Sequence, residues 1–425
     1  MKPGFPGCEA RYTSPMRIGI DFGTSYSAAA ACINGRLHPV RFGEAPQFRT
    51  AVYFPEHLPD GDSVRRHRDG SVATASQVAE ALFGDEAVEA YLLEGDGHLV
   101  ESPKSMLGYQ LHPRAKDTIA AICARILGHI REQASAQFGT EVREAVLGRP
   151  VHFRSSMGEA GEVQALALLR EAAAVAGFEA VAFLEEPVAA ALQHHAASTK
   201  RHAALVFDIG GGTTDIAWGE LGGREAPRIL GSWGVGLGGT DFDLALSLDR
   251  AMPLFGRGVS RVPNHHFVEA AMVQDLPRQR SFRKHDYDEA PEPFRSRLMA
   301  LQAEGAPTRL HRDIEGLKVR LSDAATGAFA LDWIEAGLGV EATRAQLADA
   351  AEAPLCRMRA LLAQIRDERG VPAAVVLTGG MSRSPLLRAL ASEVFAGVPQ
   401  VAGEASLGVV SGLARAASMG WMSRV

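Results

Sequence analysis

Two stretches of this chain follow one plan, and that plan limits the folds open to it. "MRIGIDFGTSYSAAAACINGRLHPVRF" and the segment from "AALVFDI" through "GGGTT" and "DIAWGEL" to "APRILGSW" share an element order: apolar strand, glycine-threonine turn, second strand, hairpin turn, third strand. The hairpin turns are Asn34-Gly35 and Gly222-Gly223, dipeptides that accept the positive φ angles of a tight two-residue connection. In both copies an aspartate closes the first strand, followed by one apolar residue and a glycine: Asp21-Phe22-Gly23-Thr24 and Asp208-Ile209-Gly210, running on to Thr213. The two aspartates lie 187 residues apart, about the length of one domain, so the expected fold contains one unit twice.

A chain of 425 residues that is 46% hydrophobic has enough apolar material for two such cores. The expected organisation is a leader over 1–15 without fixed structure, a first lobe over 16–200 with a small upper subdomain near 51–120, and a second lobe over 201–425 with a small upper subdomain near 245–330. Helical patterns lie between and after the copies. "SSMGEAGEVQALALLREAAAVAGF" offers Ser156 and Glu159 as a capping box and Gly177 as a stop. "DFDLALSLDRAM" reads as a shorter helix. "TRAQLADAAEAPLCRMRALLAQIRDERG" reads as one helix capped by Thr343 and Gln346, and it leads into the strand "AAVVLTGG". A helix over "SLGVVSGLARAAS" follows.

Composition excludes several function classes. A net charge of −6 supplies no cationic field for nucleic acid or anionic lipid. The basic run "PRQRSFRKH" is cancelled by the "DYDEAPE" that follows it. No stretch approaches the roughly 18 apolar residues of a membrane span. Cys8, Cys32, Cys123 and Cys356 lack C-x-x-C spacing, which points to reduced thiols in a cytoplasmic protein. The pairs His194-His195 and His265-His266 read as solvated surface residues, because neighbours at i and i+1 do not converge on one ion.

A glycine-threonine turn behind an aspartate, present twice, has the chemistry of a polyphosphate clamp. Glycines let backbone N–H groups reach phosphate oxygens, threonine hydroxyls add donors, and the carboxylates suit a hydrated Mg²⁺. There is no Walker A sequence, and each turn leads to an antiparallel strand where a P-loop leads to a helix. "GVGLGG" matches G-x-G-x-x-G at Gly234, Gly236 and Gly239, yet the strand a dinucleotide fold requires after its helix is missing. These glycines read as lining a nucleotide, with an ordinary loop as the other reading.

"IGIDFGTSYS", "EEPVAAAL", "VFDIGGGTTDI", "GGTDFD" and "VVLTGGMSRSP" occur in the order found in the ATPase domain of the seventy-kilodalton heat-shock (DnaK-type) chaperones, within the actin and hexokinase superfamily. From Met16 to Arg415 the chain resembles that domain. The elements "SPKSMLG" and "GRPV" are similar to those of its short YegD-like branch. The resemblance implies an α/β actin-like ATPase fold, two ribonuclease H-like lobes around a nucleotide cleft, ATP or ADP with Mg²⁺ as cofactors, and slow Mg²⁺-dependent ATP hydrolysis. It implies that Gly23, Thr24, Ser25 and Tyr26 cradle the phosphates from one lobe and Gly210, Gly211, Gly212 and Thr213 from the other. Asp21, Asp208, Glu186 and Asp215 would hold the metal largely through water. Lys104 would orient the attacking water and stabilise the transferring phosphoryl, with Glu186, Asp208 and Thr213 completing the catalytic set. Glu315, Lys318 and Ser322 would contact ribose and adenine, Arg383 would face the adenine, and Gly238, Gly239, Gly379, Gly380 and Met381 would complete the nucleotide-binding set. Lys104 read without the resemblance is a solvated lysine after a Ser102-Pro103 turn, and Glu186 before Pro187 is a helix start.

The chain departs from the family pattern in three ways. Val319 and Met381 stand where the family has an arginine and a serine beside the base, and one lost cation-stacking partner weakens binding by about 0.5 to 2 kcal/mol. Gly158 stands where the family has an arginine that relays nucleotide state. The sequence stops about ten residues after the last helix of the ATPase fold, so the expectation is a chaperone-like protein without a peptide-binding domain, whose lobes open and close with nucleotide and meet unidentified clients or co-chaperones. A small-molecule kinase, an actin-like filament protein and a non-hydrolysing ATP-binding scaffold share the architecture and stay open as alternatives.

Overall fold

The computed structural model describes residues 16–55, 81–94, 97–403 and 407–420. The expected leader, Cys8 and part of the expected first upper subdomain lie outside the described residues. In the first half, β1 (Met16–Phe22), β2 (Tyr26–Ile33) and β3 (Arg36–Pro39) form an antiparallel meander. Strand β1 also pairs in parallel with β4 (Val142–Arg149), which pairs in parallel with β5 (Ala180–Glu185). The second half repeats this with β6 (His202–Ile209), β7 (Thr214–Leu221) and β8 (Arg228–Val235), then β9 (Ala374–Thr378) and β10 (Gln400–Ala402). Both sheets run third, second, first, fourth, fifth, the expected α/β duplication. A short strand, Gln47–Arg49, adds to β2 in the first sheet.

Both predicted hairpin turns take the left-handed region at their two central residues: Asn34 at φ 51° and Gly35 at 76°, Gly222 at 83° and Gly223 at 77°. Side-chain alternation then sorts each strand between two cores. Leu205, Phe207 and Ile209 of β6 face a core inside the second half, while Ala204 and Val206 face a core between the halves. Ile18, Ile20 and Phe22 enter the core of the first half, which long α1 (Pro113–Phe138) and α2 (Glu159–Val175) cover. The middle core is built from α3 (Glu186–Ala197) and a helix near the chain's end, both lined with small residues.

Two element expectations are corrected. Helix α2 starts at Glu159 on Gly158 (φ 57°) with no side-chain cap, so Ser156 and Glu159 do not form the predicted box. The box of Thr343 and Gln346 does form, but its helix ends at Ala350 and a second runs Glu352–Arg369. Pro354 explains the break, because it has no N–H and its ring crowds the carbonyl four residues back.

Candidate functional site

The glycine-threonine turns face one another across the middle of the molecule. A Cβ on Gly23 would lie 2.1 Å from the Tyr26 carbonyl oxygen, so the first turn closes only around a bare backbone. In the second, the Gly210 N–H donates to the Thr213 carbonyl at 2.9 Å. A Cβ on Gly211 would lie 2.1 Å from Ser25 Oγ, and one on Gly212 would lie 2.6 Å from Thr24 Oγ1. Hydroxyls of one turn therefore press directly on the glycine backbone of the other. The "GVGLGG" run stacks behind this turn: Gly239 N–H donates to Gly210 O at 3.0 Å and Thr240 N–H to Gly211 O at 2.8 Å. Gly238 and Gly239 open helix α4 (Gly239–Leu246).

Beneath the turns, β1 ends near Asp21 and β6 near Asp208, and the antiparallel register sets Asp215 of β7 directly opposite Asp208. Glu186 arrives without a loop, since α3 begins at the residue after β5. Lys104 lies on a single helical turn, Pro103–Met106, preceded by Ser102 in the left-handed region (φ 54°, ψ 46°). A serine held there marks backbone strain at a positioned residue. Thr50 anchors this loop: its N–H donates to Ser25 O at 2.9 Å, and its carbonyl accepts from Ser102 N–H at 2.9 Å. The first glycine-threonine turn and the lysine loop are thus tied through one residue.

Lys104, Glu186, Asp208 and Asp215 are buried, and Asp21 partly so. Lys104 Nζ donates to Glu186 Oε1 at 2.5 Å. Burial pulls against the lysine's charge, but Glu186 and Asp21 outweigh it and hold the ammonium above its ordinary range. Burial, then Glu186, pushes Asp21 up to about 7 and Asp215 up to about 8. Asp208 is raised well above the usual carboxylate range by burial, then Glu186, Asp215 and Asp21, with Lys104 opposing. Asp215 Oδ1 accepts Val151 N–H at 2.6 Å, while Asp208 Oδ1 has no hydrogen-bond partner among the described residues. Carboxylate oxygens in this excess over nearby cations are the donor set of a hydrated hard divalent ion.

These shifts carry a sign. Asp21 and Asp215 keep protons in the folded chain up to about 7 and 8, against 3.8 for a free aspartate. Their contribution to stability is fully present below about pH 4 and is lost as pH rises through 7 to 8. In a chelating buffer, the unfolding free energy measured by denaturant titration is therefore expected to fall between pH 5 and pH 8, by up to about 1.4 kcal/mol per pH unit for each titrating carboxyl. Asp215→Asn, which keeps an acceptor for Val151, should flatten that slope. An unchanged slope in the variant would show that this cluster is not the source.

The residues expected to meet ribose and base divide into two groups. Lys318, on α5 (Ala306–Asp323), is buried and donates to Asp243 Oδ2 at 2.7 Å and to Gly239 O at 3.2 Å. Glu315 accepts from Arg49 at 2.8 Å, and Arg49 also donates to Tyr26 OH at 3.1 Å and Asp85 at 3.0 Å. Ser322 is half-buried further along α5, and its carbonyl accepts from Arg344 at 3.3 Å. Gly379 (φ 82°) packs so tightly on the end of β6 that a Cβ would lie 2.4 Å from Ile209 O, whereas Gly380 faces open space. Met381 is buried beside Gly239, and Arg383 is exposed. Val319 is exposed as well.

Sequence reasoning missed Thr50, Arg49, Asp243 and Arg154. Arg154 reaches from the first half to the second turn, donating to Gly212 O at 2.5 Å and pairing with Asp241. Asp241 in turn accepts Gly238 N–H at 2.8 Å. The histidine pair His194-His195 is half-buried, not solvated: His194 meets His202 at 3.0 Å, and His195 Nδ1 accepts Gly222 N–H at 2.9 Å. Among the described residues, no helix is long and apolar enough to cross a membrane.

Residues 71–252 match the family model described as "Hsp70 protein". The chain is 33% identical over 238 residues to "Chaperone protein DnaK" of Thermoplasma volcanium, covering 54% of this chain and 34% of that protein. It is 32% identical over 237 residues to the protein of that name from Thermoplasma acidophilum, with the same coverage of 54% and 34%. For the one from Nitrosopumilus maritimus the identity is 30% over 232 residues, 54% of this chain and 33% of that protein. The chain thus spans about a third of the length of the curated relatives it matches. Over these regions the chain is similar to Hsp70-family proteins, and its two duplicated sheets form an α/β architecture consistent with the actin-like ATPase fold.

Proposed function

We propose that the protein binds ATP with Mg²⁺ between the two halves and hydrolyses it slowly, in a chaperone-like role. The observation that carries this reading is the pair of mirrored turns, pressed together above Lys104, Glu186 and three aspartates. Gly23 to Tyr26 and Gly210 to Thr213 supply N–H and hydroxyl donors for the phosphates, whose entry requires the turns to part. Asp21, Asp208, Asp215 and Glu186 are the residues that would hold the metal's water shell, and a bound Mg²⁺ would neutralise phosphate charge. Lys104 would orient a water and meet negative charge developing on the phosphoryl group. Glu315, Lys318, Ser322, Gly379, Gly380, Met381 and Arg383 form the proposed base-side wall.

The proposed working units are lobes 16–200 and 201–425, with upper parts near 51–120 and 245–330. Contacts across the top support a closed resting state: Arg49 with Glu315 at 2.8 Å, and Tyr91 OH donating to Glu304 at 2.7 Å. Partners beyond the nucleotide, protein clients or co-chaperones among them, follow from the DnaK resemblance alone, as does a cytoplasmic location. Calorimetric titration with ATP, with and without Mg²⁺, followed by a phosphate-release assay, tests the reading. The expected result is one equivalent bound, more tightly with Mg²⁺, and measurable turnover. ATP binding without release would favour the scaffold alternative, phosphate transfer to a sugar or polyol would favour the kinase, and absence of binding would end the proposal.

A further inference from the structure

The sequence reading set His265-His266 aside because adjacent side chains on a helix diverge by about 100°. The fold supplies what that argument lacked, a third histidine from another element. His265 and His266 lie in the first turn of the helix Asn264–Ala271, and His285 lies just beyond the helix Leu276–Phe282. The His266 and His285 rings stack with centroids 3.6 Å apart, and those of His265 and His266 are 4.3 Å apart. One ligand nitrogen from each of the three lies within 4.8 Å of the others. Glu269, one helical turn after His265, sets its Oε2 2.9 Å from His285 Nε2.

We propose that His265, His266, His285 and Glu269 form a binding site for a divalent transition-metal ion of the zinc type. Three imidazole nitrogens and one carboxylate oxygen suit Zn²⁺, Co²⁺ or Ni²⁺ and are too nitrogen-rich for Mg²⁺ or Ca²⁺. Tetrahedral bonds of about 2.0 to 2.1 Å place ligand atoms roughly 3.3 Å apart, so the three nitrogens, within 4.8 Å of one another, need to close by at most about 1.5 Å. Exposed His265 is free to make most of that movement. The other two histidines already have partners that hold them. Tyr287 OH lies 3.4 Å from His266 Nδ1, leaving Nε2 to the metal, and Gln302 Nε2 donates to the carbonyls of Phe282 at 2.8 Å and His285 at 2.9 Å. This outer layer of partners is what orients metal-binding histidines.

With four protein ligands the site is closed, which makes it a structural clip with no open position for catalysis. It would fasten the helix Asn264–Ala271 to the segment carrying Arg283. That arginine donates to Glu304 at 2.8 Å and to Tyr91 OH at 3.3 Å, a contact that reaches the first half of the molecule. The proposal stands on this cluster alone and is independent of the nucleotide reading.

The test uses the full chain, stripped of metal, titrated with Co²⁺ and then Zn²⁺ in the absence of nucleotide. The expected result is one equivalent of Co²⁺ showing the intense visible bands of tetrahedral coordination, displaced by Zn²⁺. His285→Ala and Glu269→Gln should each weaken binding by at least about tenfold, as losses of even outer ligand-orienting groups do. Exposed His265→Ala, which removes no buried side chain, should weaken it as well, so the result does not depend on whether the more buried variants fold. Replacing exposed His38 should change nothing. Tetrahedral binding that survives in His265→Ala and His285→Ala, or the absence of any stoichiometric tetrahedral species, would overturn the assignment.

Discussion

Lys104→Ala is expected to release phosphate from ATP about 10² to 10³ times more slowly than the parent protein, the usual cost of removing one positioned donor from a charge-stabilising site. The size of the effect follows from where the lysine sits. Its ammonium is buried with Glu186 at 2.5 Å, and Glu186, Asp21 and Asp215 all favour its charge. A group kept charged in so enclosed a place needs no reorganisation to meet a developing negative charge. Its loop is fixed by Ser102 in a left-handed conformation and by the Thr50 bridge to the first turn, so the placement does not rely on substrate. The variant's ATP affinity should change much less than its turnover, because the turns and the proposed base-side wall are intact. Equal turnover in variant and parent would remove the catalytic role of Lys104 while leaving nucleotide binding to be judged on its own titration. Circular dichroism on the variant separates this outcome from loss of fold.

What could be read from the sequence, and what could not, divides along the range of the interactions. The duplicated hairpins were legible because their determinants are local: Asn34-Gly35 and Gly222-Gly223 each set a turn, and alternating strands follow from it. The aspartates at the strand ends were legible for the same reason. Lys104 was recognisable only through its motif, since what makes it more than a surface lysine is a carboxylate 82 residues later in the chain. Arg49 and Arg154 escaped notice because their partners, Glu315 and Gly212, come from the other half of the molecule, and neither arginine sits in a periodic pattern. Ser156 and Glu159 show the converse error: a correct local signature at the start of α2 was set aside because Gly158, at a positive φ, turns the chain there first. The histidine cluster was missed through the same neglect of distance, for His285 is far from His265 in sequence and near it only after two short helices fold back.

The close crossing of the two central helices yields a test in which two physical effects predict opposite signs. Gly412 lies inside α6 (Gly408–Ser418), where helix propensity alone says that alanine should stabilise by about 1 kcal/mol. The packing says otherwise. A Cβ at Gly412 would lie 1.7 Å from the Ala189 carbonyl oxygen and 2.4 Å from its carbonyl carbon, both backbone atoms of α3 that cannot rotate away. Gly19 of β1 is in a similar position, with its Cβ 2.2 Å from Ala414 N. The helices that join the halves can therefore meet only through bare backbone, and a single methyl must force them apart. Gly412→Ala is expected to lower stability by about 3 kcal/mol or more, at the upper end of overpacking costs. Gly128→Ala provides the internal comparison. Gly128 lies in α1, where a Cβ would meet nothing within 4 Å, so propensity should act alone and raise stability by about 0.5 to 1 kcal/mol. Denaturant midpoints for the two variants and the parent decide the matter. If Gly412→Ala matches or exceeds the parent, α3 and α6 are not in backbone contact, and the core that joins the halves is built differently from the one described.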